Sequence, residues 1–296
     1  VTHKSLELLT VFAPTLPVQS RVVALFPSDR LKAVLESLPT GFPRLVRAAS
    51  PEAFSSRIRS LYGIDISTLA GSCAFALVAD AGPVLVCQGG TATPVEGSSR
   101  WAHGPAEGHT ITRGGLSISI SAHQGRLMVG SPVAVERCLL AQRKSWPDLT
   151  GGLSRWKPRL SEIAGADAFG DMAVFFLDPS MAPWCGSDCI VSAIFATDQE
   201  FVAAAITRDD TVETVQTRAA ALWSATISDY ATLMDEPRET RSPPVEDSWF
   251  KAGDPAIRQA ELSTRGAWVF LKGPGDLGSV ALALASHWPA RLFGDD

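Results

Sequence analysis

What this sequence lacks narrows its chemistry first. No apolar run in the 296 residues approaches the roughly 20 needed to cross a bilayer as a helix. No block of Lys and Arg stands out and the net charge is −5, so there is no electrostatic footprint for nucleic acid or an anionic membrane. The five cysteines (Cys73, Cys87, Cys138, Cys185 and Cys189) are odd in number and irregular in spacing, which is not a disulfide framework. The chain carries no G-x-S-x-G elbow, Walker loop, H-E-x-x-H pair or EF-hand loop. The first residues, VTHKSLELLTVFAPTLP, have neither the basic start nor the unbroken apolar stretch of a signal peptide. Val1 fits a chain whose targeting segment has been removed, and equally an unusual start codon.

What is present describes a folded body. Hydrophobic residues make up 46% and charged residues 19%, which excludes disorder for the chain as a whole. One pattern recurs at 21–38, 172–189 and 267–288: an apolar strand, a Pro or Gly turn, then a mixed or apolar-periodic segment. In the first copy Leu31, Val34, Leu35 and Leu38 fall on one helix face. Ser50-Pro51 and Ser131-Pro132 each open a helix, Ser as cap and Pro where a missing N–H costs nothing. Residues 73–78 and 83–87 flank a turn at Asp80-Ala81-Gly82. Residues 116–121 alternate Leu or Ile with Ser, the pattern of a half-exposed strand, and Gln124-Gly125 turns it into 126–130. Residues 189–197 and 200–207 form a third hairpin, and Asp210 and Glu213 cap the helix after it. Leu277, Val280, Leu284 and Trp288 form the buried stripe of a last helix.

Hairpins interleaved with helices predict an α+β fold: two similar halves of antiparallel strands packed with helices, plus a C-terminal strand–helix unit. The expected divisions are 1–148 and 149–235 for the halves, 236–264 for a Pro-rich loop or linker, and 265–296 for the C-terminal unit. Four segments carry a family likeness: ALFPSDRLKAVL (24–35), YGIDISTLAGSCAFALV (62–78), GRLMVGSPVAVERCL (125–139) and VFFLDPS (174–180). Through them, over about 20–225, the chain resembles a bacterial envelope-protein family of unknown function, the DUF3352-like proteins. Members are exported or held by one N-terminal membrane helix, so the resemblance implies this fold and an envelope location. It carries no catalytic residues across.

Several constellations invite chemistry. GPGDLG (273–278) matches G-x-G-x-x-G after a strand, but no second strand bearing an acid about 20 residues on follows it. A tight strand–helix turn is the simpler reading of Gly273, Gly275 and Gly278. His103, Glu107 and His109 lie within HGPAEGH and are the metal-ligand candidates, although no fourth ligand is evident. The expectation is a solvated loop with these three exposed and apart, and no metal or other cofactor. Ser117 or Ser119 with His123 assembles a nucleophile and base on paper, but serines alternating with isoleucines are more simply the wet side of a strand. Cys185 and Cys189, with three residues between them, are neither a C-x-x-C redox pair nor half a zinc ribbon; a bond between them is left open. Cys73, Cys87 and Cys138 read as small buried hydrophobes. Trp101, Trp249 and Phe250 fall in expected loops, and the last two, inside the polar stretch 236–256, are the interaction candidates.

The functional expectation is a non-enzymatic, envelope-associated scaffold or binding module whose partner is another protein, with no nucleic acid bound. The alternatives are a small-ligand or lipid carrier, which would show an apolar cavity between sheet and helices, or a hydrolase or metal-dependent enzyme with a dispersed site. The location is periplasmic or envelope-associated if a signal has been removed, and cytoplasmic otherwise.

Overall fold

The computed structural model describes residues 4–29, 51–113, 115–154, 158, 172–197, 199–208, 210–235, 247–277 and 280. They divide into two compact units, the first ending at 158 and the second beginning at 172. Both are α+β with antiparallel sheet predominant.

The first unit contains α1 (Lys4–Phe12), β1 (Ser20–Pro27), α2 (Pro51–Tyr62), β2 (Ile64–Val78), β3 (Gly82–Ala92), β4 (Ser99–His103), β5 (Ala106–Arg113), β6 (Leu116–His123), β7 (Arg126–Gly130) and α3 (Pro132–Gln142). Its strands lie in the order β1-β2-β3-β7-β6-β5-β4, each neighbour antiparallel. Turn chemistry sets the registers. His123 faces Arg126 across a two-residue turn in which Gln124 (φ 47°) and Gly125 (φ 70°) are both left-handed, the turn whose twist matches a hairpin. Ser131 caps α3 by accepting from Ala134 N at 3.3 Å, with Pro132 first in the helix. The helix then buries Ala134, Val135, Cys138, Leu139 and Ala141 against β3, β6 and β7. Burial pushes the Cys138 thiol up to about 12.

The second unit contains β8 (Met172–Phe176), β9 (Cys189–Ala196), β10 (Glu200–Thr207), α4 (Val212–Asp235), α5 (Asp247–Gln259), β11 (Glu261–Arg265) and β12 (Trp268–Pro274). Its order is β11-β12-β10-β9-β8, again antiparallel.

Several expectations change. Residues 149–154 belong to the first unit, because Leu149 and Leu153 are buried and Leu149 N donates to Leu16 O at 2.8 Å. The segment at 265–296 is not a separate unit over its described part: β12 lies between β10 and β11, with Ala203 opposite Leu271 and Leu271 opposite Leu262. The Pro-rich stretch is a helix from Asp247 and a strand from Glu261, while 236–246 lie outside the described residues. Proline and charge suggested a loop, but burial of Ala256 and Ile257 and an Arg258–Asp254 pair at 2.8 Å stabilise α5 around Pro255. The polar side of β6 is not wet either. Ser119 and Ser121 are buried, the first bonded to Thr110 Oγ1 at 2.6 Å and the second donating to Glu107 O at 2.8 Å. Burial along β6 does not alternate: Leu116 is exposed, while Ser119, Ile120 and Ser121 are all buried, the two serines through their bonds to β5. Residues 31–38, Leu284 and Trp288 lie outside the described residues.

Candidate functional site

In the second unit α4 is fastened at its two ends and stands off the sheet between them. Of its 24 residues only Val215, Tyr230 and Leu233 are buried. At the N-terminal end Arg218 donates to Cys185 O at 2.6 Å and to Asp188 Oδ2 at 3.0 Å, and Thr211 Oγ1 donates to Asp188 O at 3.0 Å. Those acceptors sit on a short turn closed by a Cys185–Cys189 disulfide, which packs with Ala182, Ala205, Val215 and Val269. At the far end Tyr230 and Leu233 join Ala256, Ile257 and Val280 in a second cluster. Burial, reinforced by the nearby Asp254 carboxylate, pushes the Tyr230 phenol above its ordinary range.

Between the two clusters lies an apolar cleft of about 320 Å³. Its floor is one side of the sheet: Ile194, Ala203 and Leu271 stand opposite one another on β9, β10 and β12, so the strand register places them together. Its roof is α4, where Ala219, Leu222, Trp223 and Thr226 recur at i, i+3, i+4 and i+7. The indoles are held from behind. Trp184 stands edge-on to Phe176 with centroids 5.4 Å apart, and Trp223 lies 5.9 Å from Phe201. Among the described residues no lining side chain is acidic, basic or a thiol, and the hydroxyl of Thr226 donates to Leu222 O at 2.9 Å. Such a surface can hold an apolar molecule.

The residues singled out in the sequence are elsewhere. HGPAEGH is the β4–β5 hairpin, not a loop, with His103 opposite Ala106 and Ala102 opposite Glu107. Strand alternation therefore places His103 on the other side from Glu107 and His109. His109 is not exposed: it is 1% accessible, and its Nε2 lies 3.1 Å from Tyr62 O. Among the described residues no group of three His, Cys, Asp or Glu could hold a metal. Trp101 lies in β4 across from Gly108, where a Cβ would meet its ring at 2.3 Å. Ser117 bonds Thr112 at 2.8 Å and Ser119 bonds Thr110, while His123 lies about 13 Å further along β6 than Ser119, too far for a nucleophile–base pair.

Gly273 and Gly275 serve close packing. A Cβ on Gly275, which has φ 98°, would meet Ala256 N at 2.5 Å, and one on Gly273 would meet Ala260 Cα at 2.9 Å. Gly278 lies outside the described residues. Trp249 and Phe250 fall in the first turn of α5, and their side chains lie outside the description. Cys73 and Cys87 face each other across β2 and β3, buried and unbonded, and their contact and burial raise the Cys87 thiol.

No family model matches the chain, and neither does any curated protein. The solved structure of TP0453 (crystal form I) is similar over 93% of this chain and 96% of that chain, at 7% identity and a TM-score of 0.48. That likeness is too slight to bear on fold or function.

Proposed function

We propose that this chain is a non-enzymatic binding protein of the bacterial envelope and that its second unit carries a small apolar ligand in the cleft beneath α4. The observation that carries the reading is the lining: among the described residues it is predominantly apolar, with two braced indoles and no acidic, basic or thiol side chain. The envelope location draws on the DUF3352-like resemblance and on the Cys185–Cys189 bond, a linkage that persists in oxidising compartments.

A neutral phenylnaphthylamine dye, which fluoresces in apolar surroundings, tests the binding reading. One dye per chain should bind, and Ala203→Phe on the floor should abolish binding without lowering the melting temperature. Dye binding that survives this substitution, or no saturable binding at all, would count against the cleft. A second reading, a scaffold for another protein, draws on Leu222, Ile227 and Met234, which α4 leaves exposed.

The two units are, we infer, two versions of one plan, as the recurring strand–turn pattern suggests. The order β1-β2-β3-β7-β6 runs parallel, strand for strand, to β8-β9-β10-β12-β11. They differ in their insertions: α2 lies between β1 and β2 where the second unit has only short turns between β8 and β9, and after the third strand comes the β4–β5 hairpin in one unit, α4 and α5 in the other. Superposing the two five-strand sets tests the inference; a best fit that pairs the strands in another order would remove it.

A further inference from the structure

The chemistry of the cleft limits what can enter it. Among its described lining residues the one hydroxyl is engaged within α4, no side chain is charged, and the remaining polar side-chain atoms are the indole N–H groups of Trp184 and Trp223, the latter buried without a hydrogen-bond partner. A polar group taken inside would give up its water partners for at most an indole N–H. A hydrocarbon loses nothing by the same move. The volume, about 320 Å³, is at the lower bound of small-molecule sites, which run from about 300 to 1,000 Å³, so it suits one chain and not the paired chains of a phospholipid. At the rim Leu222 is 37% accessible and Pro183 is exposed, so the cleft meets water there.

Resting on the binding reading above, we propose that the occupant is the hydrocarbon chain of a single-chain amphiphile, with its head group left in solvent and unread by the protein. Affinity then follows chain length and ignores the head. The bracing of Trp184 by Phe176 and of Trp223 by Phe201 keeps the walls apart before the chain arrives, which lowers the cost of binding.

The test is displacement of the phenylnaphthylamine dye by hexanoate, octanoate and decanoate, and by hexanol, octanol and decanol, below their micelle concentrations. Each added methylene should tighten binding about fourfold until the cleft is full. Acid and alcohol of equal length should differ by less than that same step, about fourfold. Ala203→Phe should abolish binding in both series. Affinity that ignores chain length overturns the proposal. So does a head-group effect larger than one methylene step, about fourfold. If the dye binds but no amphiphile displaces it, this proposal fails and the binding reading stands. If the dye does not bind, both fail.

Discussion

α3 and α4 solve the same problem in opposite ways. Each is an apolar helix lying on an antiparallel sheet. α3 is 11 residues long and buries five of them, from Ala134 to Ala141. α4 is more than twice as long and buries three, none of them between Gln216 and Asp229. The difference is in the fastening. α3 follows β7 directly through the Ser131-Pro132 cap, and its small residues let it settle on the strands. α4 is held at one end by Arg218 on the disulfide-closed turn and at the other by Tyr230 and Leu233, and one large ring, Trp223, occupies its middle. A helix fastened at both ends cannot close over the space between them, so the cleft persists.

Placing the same ring in both regions gives the largest contrast. Ala134→Phe forces a phenyl group into a fully buried seam and should cost about 3 kcal/mol in urea unfolding. Ala203→Phe places it in open cleft and should stay within about 0.5 kcal/mol of the parent. If the two cost the same, the cleft is not empty space.

His109 sharpens the comparison from within the first unit. Removing its ring in His109→Ala leaves Tyr62 O without that partner and opens a buried gap, an expected loss of about 2 kcal/mol by thermal melting. Glu107→Ala, at an exposed position, should stay within about 0.5 kcal/mol. Equal losses would remove the distinction between a structural histidine and its exposed neighbour.

The disulfide belongs to the second unit alone. Cys185→Ser with Cys189→Ser should cost about 2 kcal/mol by the loop-entropy relation and weaken dye binding, because the acceptors of Arg218 lose their frame. A reductant should reproduce both effects in the parent and add nothing to the double variant. Cys73 and Cys87, which are unbonded, should give no such response.

A smaller loss than that of the disulfide is expected at Arg218, whose side chain is 36% accessible. Solvent screens its pairing with Asp188, so Arg218→Leu should cost about 1 kcal/mol. A fall in dye affinity beyond the loss of stability would identify the fastening as the feature that holds the cleft open; unchanged affinity would place that role with Tyr230 and Leu233.

Much of the strand framework was legible. Residues 73–78 with 83–87, 116–121 with 126–130, and 189–197 with 200–207 are antiparallel neighbours, because apolar β-formers bounded by Asp80, Gln124-Gly125 and Gln199 leave few other pairings. The hairpin in HGPAEGH was not legible. Its Gly and Pro read as loop signals, and only the neighbouring β6 supplies a ladder to complete. α5 escaped for a related reason: Pro255 and the charged residues around it argue against a helix until Ala256 and Ile257 find a core.

The sequence by itself determined the class of fold, the hairpins and their turns, and the helix opened by Ser131-Pro132, since these depend on residues close together in the chain. It determined as well that Cys73, Cys87 and Cys138 would be buried as small apolar groups. Tertiary structure alone decided the cleft. Trp184, Ala203, Trp223 and Leu271 belong to four different segments and share no spacing or motif. Register brings Ala203 beside Leu271, and the fastening of α4 keeps Trp223 above them. A cavity is space left between elements, and no local pattern of residues encodes it.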